Sequence, residues 1–293
     1  YIGSMTMISI NTNYGGIFAA KASSQATLRV DQAMERLSTG KRINHARDDS
    51  AGQAIATRLA AEIEGLAMAS RNVADGQSLV DTAESALVET HALLLRMREV
   101  SVQAANGTLS TADNTALNAE FQQLVAEIDR ISDNTSWAGT KLLNGDSTGA
   151  ASTSATFAFQ AGVNNTTADT ISVDISNADA ETLGVFVDNS GNNNITLTDA
   201  TNAGAAIVAV DAAIAAVSTE RGKLGAVSNR MSSTMANLDQ ITVNLTASKG
   251  RIEDADFAAE TGNLAKGQIL QQAATAMLAQ ANASKQQVLT LIR

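Results

Sequence analysis

Seven apolar residues, Val210, Val217, Leu224, Met231, Leu238, Leu245 and Ile252, recur at a constant spacing of seven. A heptad sustained this long demands a left-handed coiled-coil seam, because 3.5 residues per turn keep the same face against a partner. The companion positions are mixed: Ile214 and Met235 are apolar, whereas Arg221, Ser228 and Thr242 are not. Such a seam suits a multi-helix bundle better than a two-stranded zipper. The rest of the chain permits very long helices, since its 293 residues contain no Pro, where average usage would give about 15. Proline would remove an intrahelical donor and clash with the preceding turn.

Other segments carry the same periodicity. Ala19, Ser23, Ala26, Val30, Ala33 and Leu37 alternate steps of four and three, which predicts a helix over 14–39 ending at Gly40, a natural left-handed cap. The charged run Lys41 to Ser50 reads as a bend closing on N-cap residues. A second helix is expected from about 51 to 105, with Ile55, Leu59, Ile63, Leu66, Val73, Val80, Leu87, Leu94 and Met97 on one face. It would be roughly 80 Å long. Gly52, Gly65 and Gly76 lie inside it, each costing about 1 kcal/mol relative to Ala, so it needs partners. Ser110 to Asp113 reads as a new cap, before Leu117, Phe121, Leu124, Ile128 and Ile131 of a third helix. The final helix shows Leu270, Ala274, Met277, Ala281, Ser284, Val288 and Leu291 at the same steps.

Between these helices, residues 134 to about 203 become rich in Ser, Thr, Asn, Asp and Gly. Thr156 to Gln160 and Thr170 to Ile175 alternate polar and apolar, which predicts a β-hairpin joined through 162–169. Leu183 to Val187 and Ile195 to Leu197 are expected to add short strands. The fold class is therefore mainly α: long antiparallel helices form a coiled-coil rod from both termini, with a small β-hairpin-rich central module.

Composition removes most chemistry. With no Cys and only His45 and His91, thiolate sites and disulfides are excluded and metal options are thin. No nucleophile with a base and an orienting group can be assembled. No enzyme activity and no cofactor, catalytic or metal site are expected. A net charge of −10 argues against nucleic acid as a partner. No run of 18 consecutive apolar residues is present, so no membrane insertion is expected. Neither is a cleavable signal peptide. Residues 1–4, before Met5, are read as a remnant of expression and set aside.

The outermost helices have Ala- and Ser-rich seams. At about 25 cal/mol per Å², an Ala-dominated pair barely offsets about 1 to 2 kcal/mol of backbone entropy per residue. Both ends are expected to be loose in the monomer and to order on assembly.

Several motifs carry a family resemblance. Ile10-Asn11-Thr12-Asn13, Arg36-Leu37-Ser38-Thr39-Gly40-Lys41-Arg42-Ile43-Asn44, Asp48-Asp49-Ser50-Ala51-Gly52-Gln53-Ala54-Ile55-Ala56 and Ser70-Arg71-Asn72 resemble the N-terminal half of bacterial flagellins. Arg251-Ile252-Glu253-Asp254-Ala255-Asp256-Phe257, Gln268-Ile269-Leu270-Gln271-Gln272-Ala273 and Leu278-Ala279-Gln280-Ala281-Asn282 resemble the C-terminal half. The match spans roughly residues 8–145 and 205–293, as in a short flagellin with little or no outer variable domain.

The resemblance implies a subunit that self-polymerises into the extracellular flagellar filament for motility. It implies export, unfolded, through the flagellar type III apparatus. Residues 5–49 with 254–293 would form an inner helical domain, 50–145 with 205–253 the outer-tube bundle, and 146–204 the β-rich segment. Implied partners are further copies of the chain, an export chaperone, and the filament cap and junction proteins. Arg96, Val100 and Glu120 match positions recognised by the host flagellin-sensing Toll-like receptor. Val30, Leu37, Leu270, Met277, Val288 and Leu291 are expected to pack the terminal coiled coil or the contacts between subunits. Arg42, Asp48, Asp49, Arg251, Glu253 and Asp254 are expected to form a polar joint between layers. The alternatives are a hook-filament junction protein and a flagellin-like surface adhesin or glycan-binding protein.

Overall fold

The computed structural model describes residues 12–145, 154–186 and 195–291, with side chains at 285 and 287–291 left out. Five long helices dominate: α1 (Tyr14–Thr39), α2 (Ser50–Ala104), α3 (Thr111–Asn134), α4 (Ala200–Glu253) and α5 (Phe257–Leu291). Four strands lie between α3 and α4: β1 (Ser136–Trp137), β2 (Thr140–Lys141), β3 (Ser154–Gln160) and β4 (Thr170–Ser176).

The helix starts follow a common chemistry. Asn13 accepts from Gly16 N–H at 3.0 Å, Asp49 from Gly52 N–H at 2.8 Å, and Asp256 from Ala258 N–H at 2.9 Å. Ser110 and Asp113 form a reciprocal capping box. Each such cap satisfies an orphan donor. Helix α1 stops at Gly40, whose φ of 71° is left-handed.

The chain divides into two compact units, residues 1–61 with 244–293 and residues 62–243. In the larger unit, α2 and α4 run antiparallel: Gln77 reaches Ser232, Arg221 pairs with Glu84 at 3.0 Å, and Arg98 with Asp211 at 2.6 Å. Leu87, Leu94, Met97, Phe121, Ile128, Leu224 and Met231 form its fully buried core. The heptad positions from Val210 to Leu238 are all buried, as the spacing predicts. Helix α4 also contains an Ala-rich window that is long and apolar enough, by length and composition, to cross a membrane. Its Val210, Ala213 and Val217 are packed inside this unit.

Strands β3 and β4 form the expected antiparallel hairpin, in register from Ser154 with Ser176 to Gln160 with Thr170. Ile171, Val173 and Ile175 alternate inward. The glycines of α2 now have a use. A Cβ on Gly65 would meet Val163 at 2.9 Å, and one on Gly76 would meet Phe159 and Met231 at 3.0 Å. The helix surface is cut away where the hairpin lies against it.

Four expectations change. Leu183–Phe186 and Ile195–Leu197 are not strands, and Val187 lies outside the described residues. Gly184 takes a left-handed φ of 71°, and Leu197 N–H donates to the Asn118 side chain of α3 at 2.9 Å instead of to a ladder. The hairpin β1–β2 was not expected; it turns on Ala138 and Gly139, both at positive φ, with Ala where Asn or Asp would normally signal the turn. In α3 the fully buried stripe is Asn114, Phe121, Val125, Ile128 and Ser132, with Leu117, Leu124 and Ile131 only half-buried. Ile55 is 42% exposed, because Gly52 and Ala56 take the inward positions on that turn.

Candidate assembly surfaces

In the smaller unit, α1 and α5 run antiparallel. Asn13 reaches Asn282 at 3.2 Å, Gln271 donates to Thr27 at 3.1 Å, and Arg36 donates to Glu260 at 2.8 Å. The buried positions recur seven apart: Ala19, Ala26 and Ala33 on α1, facing Glu260 and the small Gly267 and Ala274 on α5. A Cβ on Gly267 would lie 2.8 Å from Val30, so the two backbones approach closely. Burial pushes the Glu260 carboxyl up, but hydrogen bonds from Arg36 and Asn263 outweigh it and hold the group below its ordinary value.

The expected stripes hold at Ala19, Ala26, Ala33 and Ala274 and differ at the larger side chains. Val30 and Leu37 are half-buried, as a flank of the pair. Leu270 and Met277 are 40% and 64% exposed, and the side chains of Val288 and Leu291 lie outside the described residues. The pair is centred on Gly267 and Ala274, whose small size sets an axis separation that turns Leu270 and Met277 outward. There they line, with Phe18, Ala22 and Ala281, an open groove of about 440 Å³. Tyr14, Ile17, Phe18 and Ile269 are each more than half exposed on the same two helices. These residues escaped sequence reading, although large apolar side chains off an Ala-lined seam are a legible sign of a second contact face.

The charged bends meet as a clamp within this unit. Lys41 pairs with Asp254 across a single antiparallel bridge, Arg42 N–H donates to Glu253 C=O at 2.7 Å, and Ala255 N–H donates to Gly40 C=O at 2.9 Å. The Arg42 guanidinium donates to Ile252 C=O at 2.9 Å and stands 3.7 Å from Asp49. Glu253 takes Lys41 at 2.5 Å and Lys249 at 3.8 Å. Asp48 folds the bend itself: its carboxylate accepts the His45 and Asn44 N–H groups, which lower its pKa. Arg251 is exposed and, among the described residues, reaches only Ala247 C=O of its own helix, at 3.3 Å. Of the six residues expected here, Arg42, Asp49, Glu253 and Asp254 take part in these contacts, whereas Asp48 bonds within its own bend and Arg251 along its own helix.

In the larger unit, Arg96 and Glu120 are exposed and joined by two hydrogen bonds of 3.0 and 2.7 Å. Val100 is 1% exposed. It is buried in the subunit, although it lies only one turn along α2 from the exposed Arg96. Among the described residues, no group of three His, Cys, Asp or Glu could hold a metal ion.

The described residues thus define a helical structural subunit whose terminal pair leaves large apolar side chains uncovered. The family model for the bacterial flagellin N-terminal helical region matches residues 10–148, and that for the C-terminal helical region matches residues 207–292. The chain is 45% identical to a flagellin of Halalkalibacterium halodurans, over 89% of this chain and 91% of that one. It is 42% identical to a flagellin of Bacillus subtilis, over 97% and 99%. It is also 39% identical to the flagellar filament 33 kDa core protein of Treponema phagedenis, again over 97% and 99%. This chain belongs to the bacterial flagellin family.

Proposed function

We propose that the chain is the structural subunit that polymerises into the bacterial flagellar filament for motility, outside the cell. The observation that carries this reading is the uncovered apolar face of α1 and α5, on a chain matched to flagellins from end to end. Identical copies would cover that face through head-to-tail contacts, which do not close and so generate an open helix. The clamp of Arg42 and Lys41 on Glu253 and Asp254 holds the two chain crossings in register while those contacts form. Export through the flagellar type III apparatus, with a chaperone before it and cap and junction proteins after it, completes the reading. Purified protein, concentrated and viewed by electron microscopy, is expected to show long filaments. Failure to self-polymerise would favour the hook-filament junction reading, since such a protein joins hook to filament and does not itself make long filaments.

A second reading concerns the host. Arg96 and Glu120 occupy an exposed, mutually fixed position on the α2–α3 face, at positions that match those the flagellin-sensing Toll-like receptor contacts in the family. The monomer is expected to activate that receptor, and an Arg96→Ala, Glu120→Ala double variant to lose most of the response. An unchanged response from the double variant removes this reading without touching the first.

A further inference from the structure

We infer that a cationic pocket between α1 and α5 receives a carboxylate side chain from a second copy of this chain, an inference that rests on the assembly reading above. The pocket is about 220 Å³ and is lined by Arg29, Gln32, Arg36, Asn263 and Lys266 beside the buried Glu260. Arg36 gives one nitrogen to Glu260 at 2.8 Å, while its Nε is buried with no partner. Neither Arg29 nor Lys266 has an ion-pair partner among the described residues. Three cations therefore converge on a hollow that holds one carboxylate. Positive charges gathered at a partly desolvated site repel one another, and a second carboxylate relieves that repulsion while meeting planar guanidinium donors suited to it.

The charge of the remaining chain indicates where that carboxylate originates. Residues 1–61 and 244–293 carry 12 Lys and Arg against 8 Asp and Glu, a net +4. Residues 62–243 carry 8 against 22, a net −14. A polymer brings many copies of that acidic surface within reach of every basic pocket, at a local concentration no dilute solute matches. The contact is heterologous by construction, since the acid and the pocket belong to different patches. It also fits beside the apolar groove, because Leu270 borders both hollows.

The test uses the full chain, with unlabelled and ¹⁵N-labelled copies mixed before assembly. Filaments are treated with a zero-length carbodiimide and the joined peptides are read by mass spectrometry. Lys266 is expected in amide linkage to Asp or Glu in mixed-isotope pairs. In parallel, an Arg29→Gln, Lys266→Gln variant leaves the Arg36–Glu260 pair intact. It is expected to raise the critical concentration for assembly about tenfold, the equivalent of about 1.4 kcal/mol per subunit, with an unchanged thermal melt of the monomer. Filaments in which Lys266 is uncoupled, or coupled only within its own chain, overturn the pocket. So does a double variant that assembles at the wild-type concentration. A wild-type chain that makes no filaments overturns the assembly reading, and this inference with it.

Discussion

In the isolated subunit, amide protons along α1 and along α5 from Phe257 to Ser284 are expected to exchange at least about a thousandfold faster than those of α2 at 73–100 and α4 at 210–238. The difference lies in what each helix buries. The fully buried positions of α1 are Gly16, Ala19, Ala26 and Ala33, none larger than Ala. Over a similar length, α2 buries Val73, Leu79, Val80, Leu87, Leu94 and Met97. Each Leu, Val or Met removes about 1.5 to 3 kcal/mol of apolar exposure when fully covered, and an Ala far less. Two or three such side chains suffice for about 4 kcal/mol, which is the thousandfold. In filaments the same α1 and α5 amides are expected to become as protected as those of α2, because neighbouring copies supply the missing partners. Hydrogen exchange read by mass spectrometry on monomer and filament checks both halves. Strong protection of α1 in the monomer would show that the Ala seam and the Arg36–Glu260 pair are sufficient by themselves.

Sequence reading located the helices well because their signals are local and strong. The caps at Asp49 and Ser110 and the left-handed Gly40 are read from single residues, whereas the Asn13 cap was not read. The heptad from Val210 to Leu238 is long enough that a one-residue error would have broken it. Where the signal is weak, the reading slipped. The expected α5 stripe ran through Leu270, Ala274 and Met277; Ala274 is buried as expected, but Gly267 completes the seam in place of the two larger side chains. Gly267 takes that place because close approach to Val30 requires the glycine, a property of the partner helix that α5 alone does not encode. The same limit applied to Val100, whose burial depends on what covers α2. The cationic pocket joins residues more than 220 positions apart, so no spacing rule could gather them. The strands expected at 183–187 and 195–197 failed for another reason: short apolar runs carry no information about whether a ladder partner is free, and Leu197 is taken by Asn118.

The displaced seam leads to the sharpest separation of folding from assembly. A Leu270→Asp, Met277→Asp double variant is expected to form no filaments at any concentration at which the wild type polymerises, while its monomer melts within about 1 °C of wild type. Both side chains are exposed in the subunit, at 40% and 64%, and surface substitutions away from the core usually change stability by less than about 0.5 kcal/mol. On α5 each Asp is still helical and solvated, so the monomer loses little. In a polymer whose copies meet through the groove they border with Phe18, each Asp would be buried, and burying an unpaired carboxylate costs several kcal/mol. That penalty recurs in every subunit along the lattice, so a modest local cost becomes complete loss of growth. The contrasting substitution is Ala274→Asp, on the true seam at 7% exposure, which is expected to unpair α1 from α5 in the monomer itself. Circular dichroism melts with sedimentation of the polymer distinguish the two. Were the double variant to polymerise normally, the outward groove would not be a subunit contact, and the apolar faces of Tyr14, Ile17 and Ile269 would have to carry assembly without it.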